Sequence, residues 1–245
     1  MQKATSKDGT TIAFDEVPSA SSETTTKLTR ALLACGVVAG PVYLSVGLVQ
    51  AFTRPGFDIT RHALSLLSNG DLGWIQITNF VITGLLVIAG AVGMRRALRS
   101  GRGRTMVPLL VGFYGLGLIG AGIFKADPAM GFPVGTPADA TAISSNGLLH
   151  FVCGGVGFLA LIAACFVMAH RFATLHQRGW AAFSVVTGVV FFAGFFGIAS
   201  GSGNGWTILG FWIGVVLAWA WVLAVSARLR GELGRSLDTR PRLTG

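Results

Sequence analysis

Of the 245 residues in this chain, 52% are hydrophobic and only 12% are charged, with a mean hydropathy of +0.66. A water-soluble domain of this length does not carry that balance. The formal net charge of +9 would by itself suggest nucleic acid, but the basic residues are spread over the short stretches between apolar runs, where they meet anionic lipid headgroups, so no nucleic-acid partner is expected.

Residues 1–27 stand apart in composition, with mixed charge and a Ser/Thr-rich end from Ser19 to Thr26. Within them, Thr5-Ser6-Lys7-Asp8-Gly9-Thr10-Thr11-Ile12-Ala13-Phe14-Asp15 reads as two short strands about an Asp-Gly turn. That string resembles the opening hairpin of α/β-hydrolases. The rest of that fold does not follow: the nearest approach to a Gly-x-Ser-x-Gly elbow is Tyr43-Leu44-Ser45-Val46-Gly47, with Tyr for the first Gly and an apolar setting. Residues 1–27 are expected to be a disordered cytoplasmic tail or a remnant of gene fusion.

Six apolar runs come next: Thr29 to Phe52, Trp74 to Met94, Met106 to Phe124, Leu148 to Ala169, Trp180 to Ser200 and Trp206 to Ala227. At ~1.5 Å per residue, each matches a hydrocarbon core of ~30 Å. The first run begins too late and runs too long for a cleavable signal, so it is read as a retained anchor. Counting Lys and Arg by connection places sixteen on one side, in the amino-terminal tail, Arg95 to Arg104, Arg171 and Arg178, and the carboxyl-terminal tail; only Arg54, Arg61 and Lys125 fall on the other. By the positive-inside rule both termini are cytoplasmic. The expected fold is all-α, a polytopic six-transmembrane-helix bundle over residues 28–228, with residues 229–245 as a basic cytoplasmic tail.

Small-x-x-x-small pairs, Gly117 with Ala121, Ala89 with Gly93, Ser184 with Gly188 and Ala193 with Gly197, predict close helix packing. Pro41 is expected to kink the first span, and Trp74, Trp180 and Trp206 to anchor span ends. The cysteines Cys35, Cys153 and Cys165 all lie within spans, with no metal spacing and no implied disulfide framework.

Between the first two spans, Asp58-Ile59-Thr60-Arg61-His62-Ala63-Leu64-Ser65-Leu66-Leu67-Ser68 places polar residues at helical spacing and predicts a short amphipathic helix lying at the outer interface, capped by Asp58 and ended by a left-handed Gly70. In the second span Gln76, Asn79 and Thr83 share one face, which is expected to look into the bundle; interhelical hydrogen bonding suffices to explain them. The second outer connection contributes Lys125-Ala126-Asp127-Pro128 and Ser144-Ser145-Asn146-Gly147. His150 then sits one turn inside the membrane boundary, either as a functional group or as a neutral histidine bonded to a neighbouring carbonyl. No ionisable side chain occurs between Trp180 and Ala227, and no acidic residue lies near the middle of a span, which argues against ion-coupled transport.

The strings Arg61-His62-Ala63-Leu64-Ser65-Leu66-Leu67, Gly70-Asp71-Leu72-Gly73-Trp74-Ile75-Gln76, Asn79-Phe80, Gly120 through Pro128 and His150-Phe151 resemble the bacterial family labelled domain of unknown function 998. The resemblance covers about residues 30 to 227 and implies a six-span bacterial membrane protein, expected in the plasma membrane, without assigning an activity.

Two readings of function follow. In the first, Arg61, His62, Asp71, Gln76, Asn79, Asp127 and His150 line an outward-facing pocket formed by the outer ends of spans one to four, which binds a membrane lipid or small molecule, Arg61 taking a carboxylate or phosphate. In the alternative, His62, Asp71, Asp127 and His150 hold a zinc ion, or a His and an Asp activate Ser65 or Ser68, in a membrane-embedded lipid hydrolase. That arrangement is loosely similar to the alkaline ceramidase type, from which the chain departs in span number and in lacking a His-x-x-x-His pair in its last helix. Zinc is a candidate cofactor under this alternative alone, and non-catalytic binding ranks first.

Overall fold

The computed structural model describes residues 20–101, 103–140, 142–200 and 205–238. The hydrolase-like segment Thr5 to Asp15 and the end of the basic tail lie outside the described residues. Six helices are long and apolar enough to cross a membrane: α1 (Ala20–Thr53), α2 (Gly73–Ala97), α3 (Met106–Ile123), α4 (Ser145–Thr174), α5 (Arg178–Ala199) and α6 (Gly205–Asp238). The fold is therefore an all-helical, multi-pass membrane bundle.

Each helix packs against its neighbours in sequence, and α6 closes back on α1, so the six form a ring. Consecutive helices packed side by side alternate in direction, which gathers most of the arginines at one end of the ring and the two long connections, 54–72 with Arg54 and Arg61 and 124–144, at the other. These are called the arginine end and the loop end. Val49, Phe52, Ile123 and Phe196 are exposed on the outside, as the apolar solvent of a bilayer requires. Trp74 and Trp206 are likewise exposed at the loop end. Trp180 differs: it lies under the Arg228 guanidinium, 4.8 Å from ring centroid to Cζ, and against Phe172.

Glycine decides how closely the staves approach. A β-carbon at Gly84 would lie 2.7 Å from the Gly115 carbonyl oxygen, and one at Gly117 would lie 2.8 Å from the Gly157 α-carbon. Gly36 sits against Gly90, Gly93 against the Leu33 nitrogen, and Gly194 against Gly210 and Phe211. The α1/α2, α2/α3, α3/α4 and α5/α6 seams thus bring backbone to backbone. The α4/α5 seam is different, because Gly155 and Gly188 there face the rings of Phe195 and Phe166. Near the arginine end Gly36 has Ser226 of α6 beside it as well as Gly90 of α2, and α2 and α6 touch across the ring.

One predicted element is corrected. No amphipathic helix spans Asp58 to Ser68; residues 58–62 turn, and a five-residue 3-10 helix, Leu64–Ser68, follows with Leu64, Leu66, Leu67 and Ser68 buried. Asp58 closes a turn rather than capping a helix, its Oδ1 accepting from the Thr60 N–H at 2.8 Å and the Thr60 hydroxyl at 2.7 Å. These bonds hold its carboxyl below the ordinary value. The leucines that surrounded the supposed polar stripe mark a segment inserted into the bundle, since apolar residues on all sides signal burial. Gly70 is left-handed, at φ 71°, as its position predicted.

Candidate functional site

The loop end is built around a buried cation. Arg54, one residue past α1, is 9% exposed. Its Nη1 and Nη2 donate to the Leu67 and Asn69 carbonyls, both at 2.5 Å, and its Cζ lies 5.0 Å from the centroid of the Phe132 ring. Burial lowers its pKa, and the charge of Asp71 opposes that shift. Phe132 stands edge-on to Phe57 at 5.2 Å and lies 5.7 Å from His62, so one aromatic cluster fastens the first connection to the second.

His62 belongs to this fastening. It is 2% exposed; its Nδ1 accepts from the Asp58 N–H at 2.9 Å, and its Nε2 donates to the Met130 carbonyl at 3.0 Å. Both ring nitrogens are therefore engaged, leaving none for a metal. Its own carbonyl accepts from Trp212 Nε1 of α6 at 3.2 Å. Asp127 is equally committed, since Oδ1 accepts from the Ser144 hydroxyl at 2.6 Å and Oδ2 from the Ser144 N–H at 2.8 Å, while Ser144 Oγ caps α4 by accepting from the Gly147 N–H at 3.0 Å. The Asp127 carboxylate fills the space where a side chain at 147 would begin.

Arg61 and Asp71 are exposed. The structure does not bring His62, Asp71, Asp127 and His150 together, and among the described residues no group of three His, Cys, Asp or Glu side chains could hold a metal ion. Ser68 is buried, donating to the Ser65 carbonyl at 2.7 Å. No Ser-His-Asp relay is assembled among the described residues, because the Asp127 oxygens and the His150 Nδ1 are bonded elsewhere.

Gln76 and Asn79 face inward as their spacing predicted. Gln76 Oε1 accepts from Gln50 Nε2 at 3.0 Å and from Asn79 Nδ2 at 3.2 Å, tying α1 to α2, and Asn79 Nδ2 also reaches the Tyr43 carbonyl at 3.1 Å. Thr83 bonds back to the Asn79 carbonyl at 2.6 Å. This is interhelical glue of the kind expected inside a membrane.

His150 is the sequence-predicted residue that reaches a cavity with a nitrogen to spare. Nδ1 lies 3.0 Å from the Ala121 carbonyl and 2.8 Å from that of Phe124, at the end of α3. Two acceptors require that Nδ1 carry the proton, so in the neutral ring Nε2 presents a lone pair. The cavity it borders lies inside the ring of helices toward the loop end and has a volume of about 100 Å³. All six helices contribute: Tyr43 from α1, Phe80 from α2, Tyr114 and Gly117 from α3, Gly154 and Phe158 from α4, Phe195 from α5, Trp212 and Trp219 from α6, with Ala63, Leu64 and Ser65 also on its wall. To this cavity α5 and α6 supply aromatic wall rather than ionisable groups.

Sequence reasoning passed over Arg54, Gln50 and the aromatic lining. The signal for two of the lining residues was present, since Tyr43 and Tyr114 are the only two tyrosines in the chain, and both pack on Trp219, at 5.0 and 5.4 Å between ring centroids.

Residues 37–228 match the family model described as "Protein of unknown function (DUF998)". No curated protein and no solved structure matches the chain.

Proposed function

Since the chain belongs to the DUF998 family of proteins of unknown function, we propose from the site itself that this membrane protein binds a lipid or similar apolar small molecule in its central cavity, without turning it over. The supporting observation is the cavity bordered by His150: it is partly enclosed by all six helices, walled by Phe, Tyr and Trp side chains, and fitted with few polar atoms. Gly154 provides the means of testing it, because it borders the cavity and a β-carbon there meets nothing within 4 Å. The wild-type protein, extracted in mild detergent and analysed by native mass spectrometry, is expected to carry a bound apolar molecule. Gly154→Trp, with thermal stability unchanged, is expected to retain it at least about tenfold more weakly. Equal retention by the two proteins would rule out the central cavity as the binding site.

The reading extends to orientation. The arginine end is placed in the cytoplasm of a bacterial cell and the loop end outside the plasma membrane, as the distribution of cations supports. A cysteine at the exposed Asp139 is then expected to react with a membrane-impermeant maleimide in intact cells, and one at Glu232 to react only after lysis. Labelling in the reverse order would invert the assignment.

A further inference from the structure

We infer, resting on the binding function proposed above, that the ligand is an uncharged lipid bearing a free hydroxyl, which donates to Nε2 of His150. The lining of the cavity contains no Lys, Arg, Asp or Glu. Of the three cations at this end, Arg54 is held by the Leu67 and Asn69 carbonyls and by the Phe132 ring, while Arg61 and Lys125 are exposed. A phosphate or carboxylate drawn into the cavity would be stripped of water with no cation to meet it. Recognition of an anionic headgroup by Arg61, the role its sequence position suggested, therefore does not extend into this space.

The polar atoms that the lining does offer are neutral. The bonds of Nδ1 to two carbonyls fix which ring nitrogen of His150 is the acceptor. Phe80 stands edge-on to that ring, 6.1 Å between centroids. His150 lies near the start of α4, whereas Trp219 borders the cavity from well within α6, roughly 13 Å deeper at ~1.5 Å per residue along the helices. The Trp219 Nε1–H has no acceptor among the described residues. An acceptor near the loop end and an aromatic wall running inward from it suit a hydroxyl-bearing lipid with its chain pointing inward.

Three probes with the same chains separate the headgroups: 1,2-dioctanoylglycerol, its 3-O-methyl ether and dioctanoyl phosphatidic acid, measured by equilibrium binding to the full chain in nanodiscs. The alcohol is expected to bind at least tenfold more tightly than either of the others. His150→Asn keeps an N–H where Nδ1 donates and removes the Nε2 acceptor, so it should lower affinity for the alcohol to that of the ether and leave the ether unchanged. Phosphatidic acid binding as tightly as the alcohol overturns the headgroup assignment, and so does failure of all three probes while a native molecule is still retained in a Gly154-dependent way. Loss of that Gly154 dependence overturns the cavity function itself, which distinguishes the two failures.

Discussion

Replacing Arg54 by alanine is expected to destabilise the protein by about 3 kcal/mol, because hydrogen bonds from a charged donor contribute roughly 1.5–3 kcal/mol each and buried acceptors left unpaired carry a desolvation penalty. The substitution strands two carbonyls, Leu67 and Asn69, and removes the cation from the face of Phe132. These contacts hold the end of α1, the 3-10 segment and the second long connection to one another. Lysine should recover less than half of the loss, since an ammonium cannot serve two divergent carbonyls as a planar fork does. Cys165 reports the outcome once the half-buried Cys35 and Cys153 are replaced by alanine: it is fully buried in α4, so its reaction with a thiol dye on heating follows opening of the bundle. For a chain of this size the shift corresponds to roughly 6–12 °C in Tm. A shift under about 2 °C would show that the guanidinium is not holding the loop end together.

A comparable loss is expected from Gly117→Leu. The introduced β-carbon would lie 2.7 Å from the Cys153 carbonyl oxygen and 2.8 Å from the Gly157 α-carbon, where neither atom can yield without moving a helix. Overpacking of this kind costs about 1–3 kcal/mol, and the upper end applies because the obstruction is backbone. Gly112 in the same helix is the control, with nothing within 4 Å of its β-carbon position. Gly112→Leu should leave Tm within about 2 °C of the wild type, surface changes being worth within ±0.5 kcal/mol. If the two variants behave alike, the α3/α4 contact is not set by the glycine. Gly117 also borders the cavity, so its replacement should weaken ligand retention along with stability.

The bundle was legible because a bilayer imposes one rule on every span, length and apolarity together, and the runs Thr29 to Phe52 through Trp206 to Ala227 obey it. The inward face of Gln76 and Asn79 was legible for a related reason: a helix in lipid has no other place for an amide. The connections were not. Helical spacing of Asp58, Arg61, His62, Ser65 and Ser68 said nothing about the competing turn that Asp58 makes with Thr60, nor about the carbonyls that Arg54 would claim. The same gap misjudged the charges, for Arg54 and Arg61 look alike in sequence, yet one is buried and the other exposed. His150 was recognised by its depth, but the free nitrogen depends on the Ala121 and Phe124 carbonyls, which sequence cannot place beside it.

The closed ring has a geometric consequence of its own. Six cylinders of equal width set side by side around a circle leave an axial vacancy as wide as a seventh, about 10 Å for α-helices. Near the arginine end Gly36 of α1 lies beside both Ser226 of α6 and Gly90 of α2, which narrows it. Toward the loop end Tyr, Phe and Trp rings from the helices fill the missing cylinder only in part. The hollow is thus the remainder of a packing problem, a berth that the arrangement of helices leaves open before any residue in it is chosen.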